Sequence, residues 1–268
     1  MIYIVDCQYL LRRNYSAMTH SGSIISSEAL LRSVKASIRK ISTNKTDQIF
    51  LLFDKQPYFK SKYLPEYKCD REYANDEGLQ RLIDSKADEF VIMKYRIDIH
   101  NNKEFTNAKY KLIEQDNRSI LIKGYEADDI ARFMSEYYTN NNIDAILYTI
   151  DSDWLYFCSD HVKMITPKGI SKEDEYKKLQ SRYVDFDIPL NKIGMLHELY
   201  FQGHNNVPNY SDKSISFKLF CNSIYNNINN IPDQELFKKY YDGMSLIDHN
   251  LNVEEIINNV SKRISYRT

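Results

Sequence analysis

The sequence predicts an α/β fold with a central, mostly parallel, five-stranded sheet that is flanked by helices. Five short apolar runs show no alternation of polar and apolar residues, and segments with helical patterns lie between them. Such runs are typical of strands buried on both faces, and strands joined through helices pair in parallel. In chain order the runs are IYIVD (2–6), IFLLFD (49–54), SILIKG (119–124), DAILYTID (144–151) and VKMITP (162–167).

The helical segments of this half are amphipathic or begin directly after a strand. EADDIARFMSEYY (126–138) follows the third strand, and residues 28–42 place apolar side chains on one face of a helix. That face comprises Leu30, Leu31, Val34, Ile38 and Ile41, with Arg32, Lys35, Arg39 and Lys40 mostly opposite.

Residues 66–115 fit the alternation of strands and helices poorly. The tract starts with charged residues and looks helical from about Asp76, and FVIMKY (90–95) predicts a strand or part of a hairpin. Because this tract is long for a connection inside a compact domain, we expect it to form a functional lid or arch.

After Pro167 the pattern changes to helices with Asn-rich connections. One helix is predicted at KIGMLHELYF (192–201), and others near 213–226, 233–241 and 252–264. We therefore predict two domains, an α/β domain of residues 1–170 and a smaller α-helical domain of residues 171–268.

Composition excludes several classes of protein. A net charge of −1 over 268 residues gives no global attraction to nucleic acid, so any such binding must come from segregated charge. The chain has no run of 18 apolar residues and no signal-peptide pattern, which predicts a cytoplasmic protein that makes no contact with membranes. Neither a zinc site nor disulfides are expected, because no CxxC pair occurs among Cys7, Cys69, Cys158 and Cys221.

Carboxylates cluster where the predicted strands end. Asp6, Asp54 and Asp151 end three strands, and GYEADDIA (124–131) follows a fourth. The carboxyl ends of parallel strands meet at one edge of a sheet, where ligands bind. Clustered carboxylates repel each other unless cations neutralise them, and hard oxygen ligands suit Mg²⁺ or Mn²⁺. The sequence therefore predicts a metal-binding rim.

Two short acidic motifs complete this rim, and each has a simpler structural explanation. In GYEADDIA, Glu126 and Asp129 share a helical face beside Asp128, but acids in a first turn are also ordinary helix caps. In TIDSDWLYF (149–157), Asp151 and Asp153 would point to one side of an extended backbone, although D-S-D is also a common turn. Lone strand-end acids such as Asp6 are likewise common caps.

A basic cluster lies in YLPEYKCDRE (63–72), which brings Tyr67, Lys68 and Arg71 together after a proline. It is either a solvated charge cluster or a phosphate-facing group, with Lys as a point charge, Arg as a clamp and Tyr as a stacking platform.

Taken in order, these motifs resemble the 5′-nuclease superfamily of flap endonucleases and 5′–3′ exonucleases, which have a PIN-like fold. The set comprises Asp6 with Arg13 seven residues on, LLFD, PEYKCDRE, GYEADDIA and TIDSDWLYF, and it covers roughly residues 1–220. The nearest branch is that of phages and bacteria, which includes phage-type RNase H and the 5′-nuclease domain of DNA polymerase I.

The resemblance implies two divalent metals on the acidic rim, a helical arch, and a helix–three-turn–helix module near residues 192–222 that grips duplex DNA. Lys68 and Arg71 match the cationic pair that faces the scissile phosphate, and Arg13 and Tyr67 match further DNA contacts. The metal-site acids carried over are Asp6, Asp54, Glu126, Asp128, Asp129, Asp151 and Asp153.

The C-terminal half departs from the family pattern G-D-x-x-D-N-I-P-G-V. In the matching segment GHNNVPN (203–209), His204 and Asn205 replace two acids that complete the second metal site. Both remain candidates to bind the second metal or the substrate, and His197 is a further candidate for that metal. The hairpin glycines are also missing, which argues against the potassium-assisted grip on duplex DNA. Lys213 and Lys218 remain as candidate phosphate contacts.

The sequence thus predicts a monomeric, Mg²⁺- or Mn²⁺-dependent 5′-nuclease with two metal ions. Its expected substrates are DNA with a 5′ flap, a nick or a duplex 5′ end, or an RNA–DNA hybrid, and replication proteins are expected partners. The alternatives are a structure-specific DNA-binding protein of the same fold with weak or lost activity, and an RNA-directed PIN nuclease. Nucleotide binding of Rossmann type is excluded, since neither GxGxxG nor GxxxxGK[ST] occurs.

Overall fold

The structure is a computed structural model that describes residues 1–20, 22–56, 74–186, 188–201, 216–225 and 252–265. It contains a five-stranded sheet in the order β3-β2-β1-β4-β5, in which every pair of neighbouring strands is parallel. The strands are β1 (Ile2–Asp6), β2 (Gln48–Phe53), β3 (Ser119–Leu121), β4 (Ala145–Tyr148) and β5 (Val162–Ile165). The predicted five-stranded sheet is therefore confirmed.

Helices connect and cover these strands. In the first part of the chain they are α1 (Cys7–Thr19), α2 (Ser27–Arg39), α3 (Asp76–Asp84), α4 (Glu89–Gln115) and α5 (Ala127–Asn140). In the second part they are α6 (Glu173–Tyr183), α7 (Leu190–Phe201), α8 (Phe217–Tyr225) and α9 (Val253–Ser265). Two 3₁₀ helices span Ser152–Phe157 and Val184–Phe186.

Successive strand residues point into two separate cores, as a sheet buried on both faces requires. Ile4 and Leu52 belong to a core with α5, whereas Val5 and Leu51 belong to a core with α1, α2 and α4. All four side chains are fully buried. Because the order of strands reverses on either side of β1, the carboxyl ends of β1, β2 and β4 form one crevice.

The strand predicted at residues 90–95 is wrong, because this run is the start of the 27-residue helix α4. Asp88 caps the helix by accepting a hydrogen bond from the Phe90 amide at 2.8 Å. Phe90 and Met93 are more than half exposed, and the buried residues of α4 lie further along, between Ile99 and Leu112. The β propensity of the run is a local preference that the packing of the rest of the helix overrides.

The C-terminal helices agree with three of the predicted segments, whereas 233–241 lies outside the described residues. The last helix, α9, packs on the sheet domain: Val260 is buried in the same core as α5. The division into two domains stays a prediction. Within the described ranges, no helix is both long and apolar enough to cross a membrane.

Candidate metal centre

Asp6 ends β1 and caps α1, so one carboxylate is held from two sides. Its Oδ1 accepts a hydrogen bond from the Tyr9 amide at 2.8 Å, and its Oδ2 accepts one from the Thr149 hydroxyl at 3.0 Å. The Asp6 side chain is 7% exposed. The hydroxyl comes from the segment after β4, so Asp6 links the ends of two neighbouring strands.

Asp54 follows β2 and connects the sheet to two helices. Its Oδ1 accepts a hydrogen bond from the Ala127 amide at 2.9 Å, at the start of α5. Its main-chain oxygen accepts one from Lys109 Nζ at 2.7 Å, on α4. Lys55 pairs through its backbone with Gly124 and Tyr125. Residues 54 and 55 are therefore held against both the start of α5, with the residues just before it, and α4.

The three acids of GYEADDIA have two different roles: two of them cap a helix, and the third bonds a tryptophan side chain. Glu126 and Asp129 form a capping box, in which the Glu126 amide donates to Asp129 Oδ2 at 3.0 Å and the Glu126 side chain accepts from the Asp129 amide. Both are buried. Asp128 instead accepts a hydrogen bond from the Trp154 indole through Oδ1 at 2.7 Å. The structural explanation by capping thus holds for two of the three.

The sequence predicts that Asp151 and Asp153 share an extended backbone, but only Asp151 is extended, because Asp153 already lies in the 3₁₀ helix. Strand β4 ends at Tyr148, and Asp151 caps the 3₁₀ helix by accepting a hydrogen bond from the Asp153 amide at 3.0 Å. A side-chain oxygen that satisfies a free helix amide competes with strand pairing, which explains the early turn. Both acids are exposed on the same short turn.

Four of the acids act on each other electrostatically. Burial raises the pKa of Asp6 from its ordinary 3.8 to about 7, and the charges of Asp54 and Asp151 add to this rise. Burial also raises the pKa of Asp128 well above its ordinary value, together with the charges of Asp6, Asp54 and Asp151. The predicted convergence of acids from β1, β2, β4 and the start of α5 is thus present.

The chemistry of this donor set fits a hard divalent cation, because carboxylate oxygens are the ligands that Mg²⁺ and Mn²⁺ prefer. In the described part of the chain, however, no three His, Cys, Asp or Glu side chains already have the geometry to hold an ion. The carboxylates act on each other over several ångströms, whereas coordination needs oxygens within about 2.0–2.1 Å of Mg²⁺. Mutual repulsion keeps clustered carboxylates apart until a cation draws them together.

A cleft of about 480 Å³ begins at this rim and runs beneath α4. Gln8 and Asp54 lie at its rim end, and Arg12, Phe105 and Lys109 line its walls. The Arg12 guanidinium stacks over the Phe105 ring at 5.7 Å. The Gln8 Oε1 atom is buried and has no hydrogen-bond partner among the residues that the structure describes. Polar and cationic groups therefore adjoin the acidic rim.

Two other predicted site residues in the described part of the chain do not line this cleft. Arg13 is exposed on α1, and it is Arg12 that lines the cleft. Lys218 is exposed on α8, with its Nζ 5.9 Å from the centre of the Phe186 ring. Six predicted residues fall outside the described part of the chain: Tyr67, Lys68, Arg71, His204, Asn205 and Lys213.

His197, a further candidate for the second metal site, lies in an aromatic cluster. Its ring is 6.1 Å from that of Tyr156 and 5.6 Å from that of Phe217, and burial lowers its pKa. Its surroundings are therefore those of a packing residue.

Sequence reasoning missed three residues that the structure brings to the rim or the cleft: Arg12, Lys109 and Trp154. Trp154 could have been noticed, because it directly follows the second acid of T-x-D-x-D. No local sequence pattern indicates a role for Lys109, since it lies 55 residues from the Asp54 carbonyl that it contacts.

Comparison with known proteins identifies the family. The model of the 5′–3′ exonuclease N-terminal resolvase-like domain matches residues 1–184. No curated protein sequence matches the chain.

Solved structures with the same fold come from bacteriophage T5. Its D15 protein, crystallised with metal ions, is 17% identical with a TM-score of 0.57, and the match covers 98% of this chain and 96% of that one. A variant of its flap endonuclease in complex with DNA and metal ions is 16% identical with a TM-score of 0.56, covering 98% of both chains. The T5 5′-exonuclease with zinc bound is 17% identical with a TM-score of 0.54, covering 98% and 96%.

At these identities the structural likeness establishes the fold, and it confirms the predicted PIN-like α/β class. The family match covers more than half of the sequence. The chain therefore belongs to the 5′–3′ exonuclease family and is a 5′-nuclease, an enzyme of the hydrolase class.

Proposed function

We propose that this 5′-nuclease hydrolyses phosphodiester bonds of DNA at 5′ ends or junctions, with two Mg²⁺ or Mn²⁺ ions. One observation carries the proposal: carboxylates from three strand ends and one helix start act on each other at a single rim. The T5 relatives support it, since one was crystallised with metal ions and another with DNA and metal ions.

Asp6, Asp54, Asp128 and Asp151 would hold the metal, and Glu126, Asp129 and Asp153 are the remaining candidates. When bound there, divalent metal would supply Lewis-acid chemistry for activating a water and stabilising the leaving 3′-oxygen. The chain itself orients the carboxylates through the Tyr9 and Ala127 amides, the Thr149 hydroxyl and the Trp154 indole. Fixed donors of this kind keep the carboxylates that would contact the metal in place before the substrate arrives.

The cleft beneath α4 is the proposed entrance for the DNA strand that carries the 5′ end. Arg12 and Lys109 place positive charge there, next to an acidic rim that would otherwise repel phosphates. Lys68 and Arg71 are proposed to offset charge on the scissile phosphate, as the family motif implies. A 5′ flap, a nick, a duplex end and an RNA–DNA hybrid are all candidate substrates.

Cleavage of labelled DNA tests the proposal. Wild type should cut flap, nicked or gapped substrates in Mg²⁺ and lose all activity in EDTA. Asp151→Asn should lose at least 100-fold in kcat, on the order of 3 kcal/mol in the barrier. Asp160→Asn is the matched control, because Asp160 is also exposed on this part of the chain but lies beyond the 3₁₀ helix. An Asp151→Asn enzyme as fast as wild type would contradict the site assignment.

A structure-specific DNA-binding protein with weak or lost nuclease activity is the second candidate. The replacement of two family acids by His204 and Asn205 favours it, since these residues supply no negative charge at neutral pH. The same substrates decide between the two: retention of flap DNA in a gel without cleavage, in Mg²⁺ and in Mn²⁺, would support binding alone. A single-phase metal titration of the cleavage rate would argue for one ion instead of two.

A further inference from the structure

Trp154 is the single tryptophan of the chain, and its position in the site is unusual for so large a residue. Its side chain is fully buried, in the same core as Ala131 and Met134 of α5. Its indole N–H nevertheless donates to Asp128 Oδ1 at 2.7 Å. A rigid ring fixed on one side by the core thus holds a rim carboxylate on the other.

The same residue connects two acidic segments of the rim. Trp154 directly follows Asp153, and its amide donates to the Asp151 carbonyl at 3.3 Å. Through the indole it reaches Asp128, 26 residues earlier in the chain. Trp154 therefore links the two acidic segments directly.

We propose that Trp154 is a positioning residue: its indole N–H orients the Asp128 carboxylate for a divalent cation and ties the Asp151–Asp153 turn to α5. This inference rests on the proposed metal-dependent function. A buried donor that fixes a ligand oxygen restricts its orientation, and loss of such partners costs about 10- to 100-fold in metal affinity or activity. The fluorescence of this tryptophan should also report the cation, because a bound metal is the largest local charge at the carboxylate.

Trp154→Phe tests the proposal, because it keeps an aromatic ring and removes the donor. Tyr156→Phe is the matched control: it also removes a polar group from an aromatic side chain of the same 3₁₀ helix, but that hydroxyl bonds Tyr183. Trp154→Phe should need roughly tenfold more Mg²⁺ for half-maximal cleavage. Its KM for DNA at saturating Mg²⁺ should stay within about twofold of wild type. Tyr156→Phe should match wild type in both values.

A calorimetric titration without DNA gives a readout besides activity. Mg²⁺ binding to Trp154→Phe should be weakened by the same roughly tenfold factor. Wild-type affinity in Trp154→Phe would overturn the proposal, and so would a loss that appears only in the KM for DNA.

Fluorescence of the wild-type protein decides the matter even if Trp154→Phe does not fold. Adding Mg²⁺ should change the tryptophan emission with the same midpoint as the heat of binding, and Asp128→Asn should abolish that change. Calorimetric binding with constant emission would overturn the role of Trp154 alone. If Mg²⁺ gives no heat and EDTA leaves cleavage intact, the proposed metal-dependent function itself fails.

Discussion

Replacing Asp6 by Asn should stabilise the metal-free protein at alkaline pH, although it removes a predicted metal ligand. Asp6 is 7% exposed, and its pKa is raised from 3.8 to about 7, first by burial and then by the charges of Asp54 and Asp151. The folded protein therefore binds a proton between pH 4 and 7 that the unfolded chain has lost. Stability falls with rising pH wherever the folded state holds more protons.

The size of the effect follows from this shift. Each unit of pKa corresponds to about 1.4 kcal/mol, so the full shift corresponds to roughly 4 kcal/mol. Relaxation and water entry reduce such penalties, and we expect about 2–4 kcal/mol at pH 8. Asparagine avoids the cost of a buried charge and caps a helix as well as Asp does, so the hydrogen bond from the Tyr9 amide is kept.

The assay is urea unfolding in EDTA from pH 5 to pH 8.5. Asp6→Asn should already be more stable than wild type at pH 5, by roughly a third of the full difference, because pH 5 lies about a third of the way from 3.8 to 7. The difference should grow up to about pH 7 and stay constant above it. Asp116→Asn provides a control of opposite sign. Burial raises the pKa of Asp116, but its hydrogen bonds with Arg118 outweigh this and leave that pKa lowered. The ionised Asp116 therefore stabilises the folded protein, and this stabilisation is lost only in acid. Asp116→Asn should accordingly be less stable than wild type by a constant amount from pH 5 to 8.5.

Saturating Mg²⁺ should narrow the difference at pH 8, since a ligand at 100 times its Kd stabilises the folded wild-type protein by about 2.7 kcal/mol, which is comparable with the gain expected for Asp6→Asn. The reasoning would be refuted by a stability difference that does not change with pH, or by an Asp6→Asn protein less stable than wild type at pH 8 in EDTA.

Two further predictions concern packing around the site. Gly194→Ala should lower the free energy of unfolding by about 1–2 kcal/mol, because the new Cβ would lie 2.6 Å from Tyr156 Cγ and overpacking outweighs the gain in helix propensity. Gly78→Ala should be neutral or stabilising, because the new Cβ would meet the far end of the flexible Tyr95 side chain and, at 3.3 Å, the Asn75 side-chain oxygen. Equal effects of the two changes in urea unfolding would contradict this. Lys109→Met should cost about 1–3 kcal/mol, because the Asp54 carbonyl loses its donor.

Lys111→Met is the control for Lys109→Met, since Lys111 is on the same helix and its ion pair with Glu28 is exposed. Exposed ion pairs contribute about 0–1 kcal/mol, so the control should change thermal unfolding little. A Lys109→Met protein that melts together with the Lys111→Met control would show that the contact with the Asp54 carbonyl contributes nothing.

The sequence by itself determined the sheet and the place of the acidic rim. Runs such as IYIVD and IFLLFD are apolar on both faces, which only a strand inside a layered α/β fold can bury. The ends of such strands meet at one edge, so the convergence of Asp6, Asp54 and Asp151 followed from strand order alone. These are consequences of local periodicity, which a sequence displays directly.

Only the tertiary structure decided which of the acids cap a helix, which are held by other side chains, and which side chains hold them. GYEADDIA could not show that Glu126 and Asp129 cap the helix while Asp128 is held by an indole, because that contact spans 26 residues. The helix at residues 90–95 and the Lys109 contact likewise depend on partners distant in sequence. Local propensity fixes a preference of about 1 kcal/mol per residue, and packing between distant segments exceeds it.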